Sequence, residues 1–233
     1  MTTDTPAELL DELASLRERT RSARHAYWFP LILFGLLTVG SIPFYVQPLT
    51  HPPCPPEGCP PFNELALRML GPFTALGGQV APHPTALAGY WLGALVGGYL
   101  ATFLWYRRHA RRVGVAIRST TYLVVGMATL LGYAVVAVPY LWLVQIRGRG
   151  AYLIIAAGLL VLVVQERSRM FTAIVLTYVA AAVVTNTYDL SNLLYRLGWN
   201  TGRYNLVPGE VLAALVLLTG GTIGLLRTRR TRA

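Results

Sequence analysis

The side chains able to do chemistry in this 233-residue chain fall into two groups, both beside or between long apolar runs. His51, Cys54, Cys59 and His83 lie in or after a proline-rich stretch, His51-Pro52-Pro53-Cys54-Pro55-Pro56-Glu57-Gly58-Cys59-Pro60-Pro61. Imidazole and thiolate are soft ligands suited to copper or zinc, but their spacing here follows no fixed metal motif. The chain has only these two cysteines. On an oxidising face their closeness favours a Cys54–Cys59 disulfide, with Gly58 free to take an unusual backbone angle in the tight loop. A redox relay would need a Cys-x-x-Cys and a second cysteine pair, and the spacing here is wider. The second group is Asn186, Asp189 and Glu210. Asn186 and Asp189 stand three apart near the end of one apolar run, and Glu210 follows Pro208 and Gly209 at the start of the next. Together they make a candidate polar pocket beside Tyr188. Taken alone, Glu210 suits the positive end of a helix. Serine-histidine pairings, His-Glu-x-x-His and Walker-type glycine loops do not occur, so no catalytic site, enzyme class or cofactor is read from motifs.

The elements that must hold these groups are apolar runs at about 27–47, 88–106, 120–144, 151–165, 170–187 and 208–226. A helix rises about 1.5 Å per residue, so about 20 residues cross a hydrocarbon core of about 30 Å. The fourth run is short, and borrows Arg149 and Gly150, thins the bilayer locally, or lies largely within the bundle. With 54% hydrophobic residues, a soluble chain of this size would lack the polar surface to cover six nearly charge-free helices. The expected fold is all-α: a polytopic transmembrane bundle of six helices preceded by a cytoplasmic amphipathic helix. The expected organisation is 1–26 as leading helix and Arg-rich joint, 27–226 as the spanning domain with an external loop at 48–87, and 227–233 as a basic tail.

Orientation follows from arginine. Every basic residue is Arg, twenty in all. Fifteen lie on alternate connectors: Arg17, Arg19, Arg21 and Arg24; Arg107, Arg108, Arg111, Arg112 and Arg118; Arg167 and Arg169; Arg227, Arg229, Arg230 and Arg232. The opposite side holds Arg68, Arg147, Arg149, Arg196 and Arg203. Retained positive charge marks the cytoplasmic side, so both termini are expected there, in a multi-pass protein of the plasma membrane. No cleavable signal peptide is expected before the first run. The net charge of +10 is then explained by anionic inner-leaflet lipids, and no nucleic-acid module accompanies it.

Thr5, Pro6 and Glu8 form a capping arrangement that should start a helix, on which Leu9, Leu13 and Leu16 fall at helical spacing. That stripe is a solvated face, a docking surface for a cytoplasmic protein or a second copy, or a surface for binding lipid. Gly89, Gly93 and Gly97, and Gly220 and Gly224, recur every four residues and suit close helix packing, within the bundle or across a homodimer seam. Tyr27, Trp28, Tyr90, Trp91, Trp105, Tyr106, Tyr140 and Trp142 read as interfacial aromatic belts. Pro43 and Pro139 are expected to bend the outer ends of two spans. The stretch 188–207 reads as a short amphipathic surface helix through Leu190, Leu193, Leu194 and Leu197, anchored by Trp199. No charge is expected at mid-span; the nearest, Asp189 and Glu210, fall at external helix boundaries.

The capped leading helix, the joint Arg17–Arg24 and the entry His25-Ala26-Tyr27-Trp28-Phe29-Pro30 resemble those of uncharacterised small polytopic integral membrane proteins of actinobacteria. The resemblance is general and implies no activity or site residue. The reading of function that follows is a non-enzymatic partner or sensor subunit. The alternatives are a small permease or transporter subunit for a neutral or lipidic substrate, and then a membrane enzyme acting at the external face.

Overall fold

The computed structural model describes residues 27–47, 75–76, 79–80, 84–113, 124, 126–128, 149–166, 168–188 and 190–230. Six α-helices are numbered here in chain order: α1 Trp28–Ser41, α2 Pro84–Val113, α3 Gly150–Glu166, α4 Arg169–Thr187, α5 Leu190–Arg196 and α6 Val207–Arg230. A two-residue antiparallel bridge pairs Ala75–Leu76 (β1) with Gln79–Val80 (β2), in the register Ala75 to Val80 and Leu76 to Gln79. The leading helix with Leu9, Leu13 and Leu16 lies outside the described residues, as do most of loop 48–87 and of the third apolar run.

Among the described residues, four stretches are long and apolar enough to cross a membrane: Trp28–Tyr45, Thr85–Arg108, Arg169–Thr187 and Val207–Arg229. The apolar part of α3, Gly150–Val164, is shorter. Helix α3 takes in Gly150 but not Arg149, which stands one residue before it. The spans expected at 27–47, 88–106, 170–187 and 208–226 thus have counterparts among the described helices.

Local chemistry explains where the helices stop. Pro43 has no N–H for a helical bond, and α1 gives way at Ser41 to a 3₁₀ turn over Ile42–Tyr45, with the Ile42 N–H on Val39 O. In α4 the polar side chains bond backwards along their own helix. Thr172 Oγ1 donates to Ser168 O, Thr177 to Ala173 O, Thr187 to Val183 O and Asn186 Nδ2 to Ala182 O, all at 2.8–2.9 Å. Each donor of that set thus has an acceptor on the backbone just before it.

Helix α1 packs on α6 and α2, and α4 packs on α3 and α6. Small residues allow the closest of these approaches. A Cβ built on Gly221 would stand 2.6 Å from Ile32 Cγ1 and 3.0 Å from the Ile32 backbone N, and one on Gly35 would stand 2.8 Å from Leu218 Cγ. Gly220 lies against Ile174, and Gly224 against Tyr27. By contrast, Gly89, Gly93 and Gly97 have nothing among the described residues within 4 Å of a built Cβ; on α2 it is Gly98 that sits under Phe34 and Leu37. The every-four spacing in α2 is therefore not where that helix meets its described neighbours.

Aromatic residues fill the interior. Trp91, Tyr45, Tyr99, Tyr152, Tyr178, Phe34 and Phe171 are fully buried. Tyr27, Trp91 and Tyr106, three of the residues read as interfacial belts, are among the buried aromatics. Several of the polar tips find a partner inside, although Tyr152 Oη has none among the described residues. Trp91 Nε1 donates to Tyr45 Oη at 3.2 Å and its ring meets Tyr152 edge-on, while Tyr99 Oη donates to Ile154 O at 2.6 Å. Facing outward instead are Leu36, Leu100, Leu104, Leu176, Val183, Leu215 and Leu226. These apolar outer faces suit contact with lipid.

Candidate functional site: a buried arginine and glutamate at one end of the bundle

Where α4 ends and α6 begins, the residue before α3 inserts a charge into the bundle. Arg149 is buried and Glu210 is wholly so, at 0% exposure. Arg149 Nε lies 3.4 Å from Glu210 Oε1, an ion-pair distance. The remaining arms of the guanidinium bind backbone: Nη1 donates to Thr185 O at 3.2 Å and Nη2 to Leu206 O at 2.8 Å.

Each contact follows from helix termini. The last carbonyls of α4 have no partner within the helix; Tyr188 N–H takes Val184 O at 2.7 Å, and Arg149 takes the next, Thr185 O. A cation there also meets the negative end of the α4 dipole, and Glu210 in the first turn of α6 meets the positive end of that helix. Gly209 makes the approach feasible, since any side chain at that position would collide with the guanidinium. Asn186 completes the joint by donating from Nδ2 to Arg149 O at 3.4 Å, besides its bond to Ala182 O. Its Oδ1 has no hydrogen-bond partner among the described residues, and neither Glu210 oxygen accepts a well-formed one. Ser41, whose hydroxyl donates to Thr38 O at 2.7 Å, and Tyr45 flank the carboxylate from the end of α1.

The structure thus brings together two of the three residues read as a polar pocket, Asn186 and Glu210, on a centre that was not anticipated, Arg149. Asp189 lies outside the described residues. So do His51, Cys54, Cys59 and His83, together with the disulfide and metal readings that rest on them. Among the described residues no group of three His, Cys, Asp or Glu could hold a metal ion. Both charges stand at helix ends rather than mid-span, Arg149 one residue before α3 and Glu210 in the first turn of α6, yet both are buried. By sequence Arg149 counts among the external loop charges; Thr185 O, Leu206 O, Gly209 and Glu210 packed against it take it out of water.

A second buried carboxylate, not singled out from the sequence, lies at the opposite end. Glu166 closes α3 and is nearly buried, with Tyr106 Oη of α2 donating to its Oε1. Burial raises its pKa from 4.5 to about 8, and the Tyr106 hydrogen bond opposes the shift. Tyr27 stacks on Phe171 with ring centroids 4.9 Å apart. The signal available in the sequence was Glu166 itself, an acid adjoining an apolar run and followed by Arg167.

The fold and this joint have the make-up of an α-helical integral membrane protein: four helices long and apolar enough to span, apolar outer faces, and polar groups turned inward. No family model, curated protein or solved structure matches the chain.

Proposed function

We propose that the chain is a non-enzymatic partner or sensor subunit of the plasma membrane, crossing it six times with both termini in the cytoplasm. The observation that carries the reading is the Arg149–Glu210 joint. A buried ion pair seldom stabilises more than well-packed apolar side chains would, so such a pair suggests a role beyond stability. Here the guanidinium is engaged by Thr185 O, Leu206 O and Glu210, inward rather than toward a solute. It locks the start of α3, the end of α4 and the start of α6 into one body. A locked outer end fits a protein that transmits or scaffolds. The partner would dock at the cytoplasmic side, on the Leu9, Leu13 and Leu16 stripe and the arginine clusters.

A small permease or transporter subunit is the second reading, favoured by the unmatched acceptor Asn186 Oδ1 within the same cluster. The two separate by experiment. Tagged full-length protein, extracted in mild detergent, should retain a specific cytoplasmic partner, and changing Leu9, Leu13 and Leu16 together to Ser should release it without unfolding the bundle. Solute flux in vesicles holding the purified chain alone, with no partner retained from cells, would overturn the subunit reading in favour of the permease.

A further inference from the structure

Between α4 and α6 the chain stays at one end of the bundle as a compact strap, residues 190–206, comprising α5, a turn and a 3₁₀ turn at Gly202–Tyr204. One side is pinned. Ser191 and Leu206 are buried, the Ser191 hydroxyl donates to Asn205 O, Gln47 N donates to Arg203 O at 3.0 Å, and Trp199 N bonds to Leu194 O at 2.9 Å. Gly198 and Gly202, at φ 86° and 49°, make the reversals that fold it back. Large apolar side chains of the strap are nonetheless left exposed among its polar ones: Trp199 is 71% exposed, Tyr195 70% and Leu197 67%, and Leu193 and Tyr204 are exposed too.

We infer that this strap binds lipid, seating Tyr195, Leu197 and Trp199 at the headgroup–acyl boundary and holding anionic phosphodiester headgroups with Arg196 and Arg203. Position supports it. The strap joins the ends of two helices long enough to span, so it lies at the level where a bilayer meets water. Chemistry supports it too. Trp and Tyr, with an apolar ring and a polar tip, favour that boundary. Residues 190–206 carry two arginines and no acid, and Arg203 is held over the Tyr204 ring at 4.8 Å, which presents its charge in a fixed place beside the apolar patch. The inference rests on the chain crossing a membrane and not on the subunit reading.

The test uses full-length protein with Cys54 and Cys59 changed to Ser, reconstituted in vesicles of phosphatidylcholine with or without phosphatidylglycerol. Spin labels are placed singly at Leu197→Cys and at Leu215→Cys, the latter outward on α6. Collision with lipid-soluble oxygen against a water-soluble nickel complex should put the Leu197 label at the boundary and the Leu215 label deep in hydrocarbon. A Leu197 label as open to nickel as a free peptide would overturn the inference by showing a solvated loop. One shielded from both reagents would also overturn it, by showing a protein or a second copy on the patch. A Leu215 label exposed to water would overturn the membrane reading itself, and this one with it. Changing Arg196 and Arg203 to Gln should lower phosphatidylglycerol enrichment in the retained lipid by about fivefold per arginine, and unchanged enrichment would refute the headgroup contact.

Discussion

Arg149 and Glu210, 61 positions apart, face each other at 3.4 Å inside the bundle, one ending the approach to α3 and the other opening α6. The pair sits at the C-terminal end of α4, so three helices meet on one guanidinium.

That geometry makes the two single mutants worse than the double. Glu210→Ala leaves an uncompensated buried cation and should cost about 3–5 kcal/mol, and Arg149→Ala should cost a similar amount by stranding the carboxylate and Thr185 O. Arg149→Met combined with Glu210→Leu should recover most of the loss, because neither charge then needs compensation. Thermal unfolding of the four proteins in one detergent measures the coupling. Strictly additive losses would show that the pair does not act as a unit.

Gly221 and Gly93 should respond oppositely to alanine. At Gly221 the new methyl meets Ile32 side chain and backbone, so α1 and α6 must separate, at about 1–3 kcal/mol. At Gly93 no described neighbour is in reach, and a helix-interior alanine should be neutral or gain about 0.5–1 kcal/mol. The same unfolding assay compares them.

Glu166 predicts a pH dependence whose direction follows from its raised pKa. Between about 4.5 and 8 the folded chain holds a proton there that the unfolded chain has released. Stability is therefore favoured below that window and lost as pH rises through it, with the contribution gone above pH 8. Glu166→Gln keeps the neutral shape and should flatten this part of the profile, as read from melting curves at pH 5 and pH 8. An unchanged slope in the variant would assign the dependence to another group.

Topology is open to labelling. In a chain whose own cysteines are changed to Ser, single cysteines at Asn63, Ser22 and Thr231 should react with an impermeant reagent on intact cells at Asn63 alone. In the native chain, Cys54 and Cys59 should resist alkylation until reduced, as a disulfide requires. Reaction at Ser22 or Thr231 would reverse the orientation.

Much of the helical scaffold could be read from residues alone, for a physical reason. Crossing hydrocarbon demands about 20 apolar residues in a row, and that demand is local, so Thr85–Arg108, Arg169–Thr187 and Val207–Arg229 announce themselves. Pro43 likewise ends α1 wherever that helix happens to pack, because the missing N–H belongs to the residue. Contacts between helices are not local. Gly220 and Gly89 have the same every-four neighbours in sequence, yet only the first touches a described helix, since the face a helix turns inward depends on its partners. Arg149 looked like a loop charge because nothing within several residues neutralises it. Its partners, Thr185 O of α4, Leu206 O just before α6 and Glu210 of α6, are far along the chain, and only the tertiary fold carries them to it. Composition and run length therefore determined that this chain is built from membrane-length helices, while the burial of Arg149, Glu210 and Glu166 was decided by how those helices assemble.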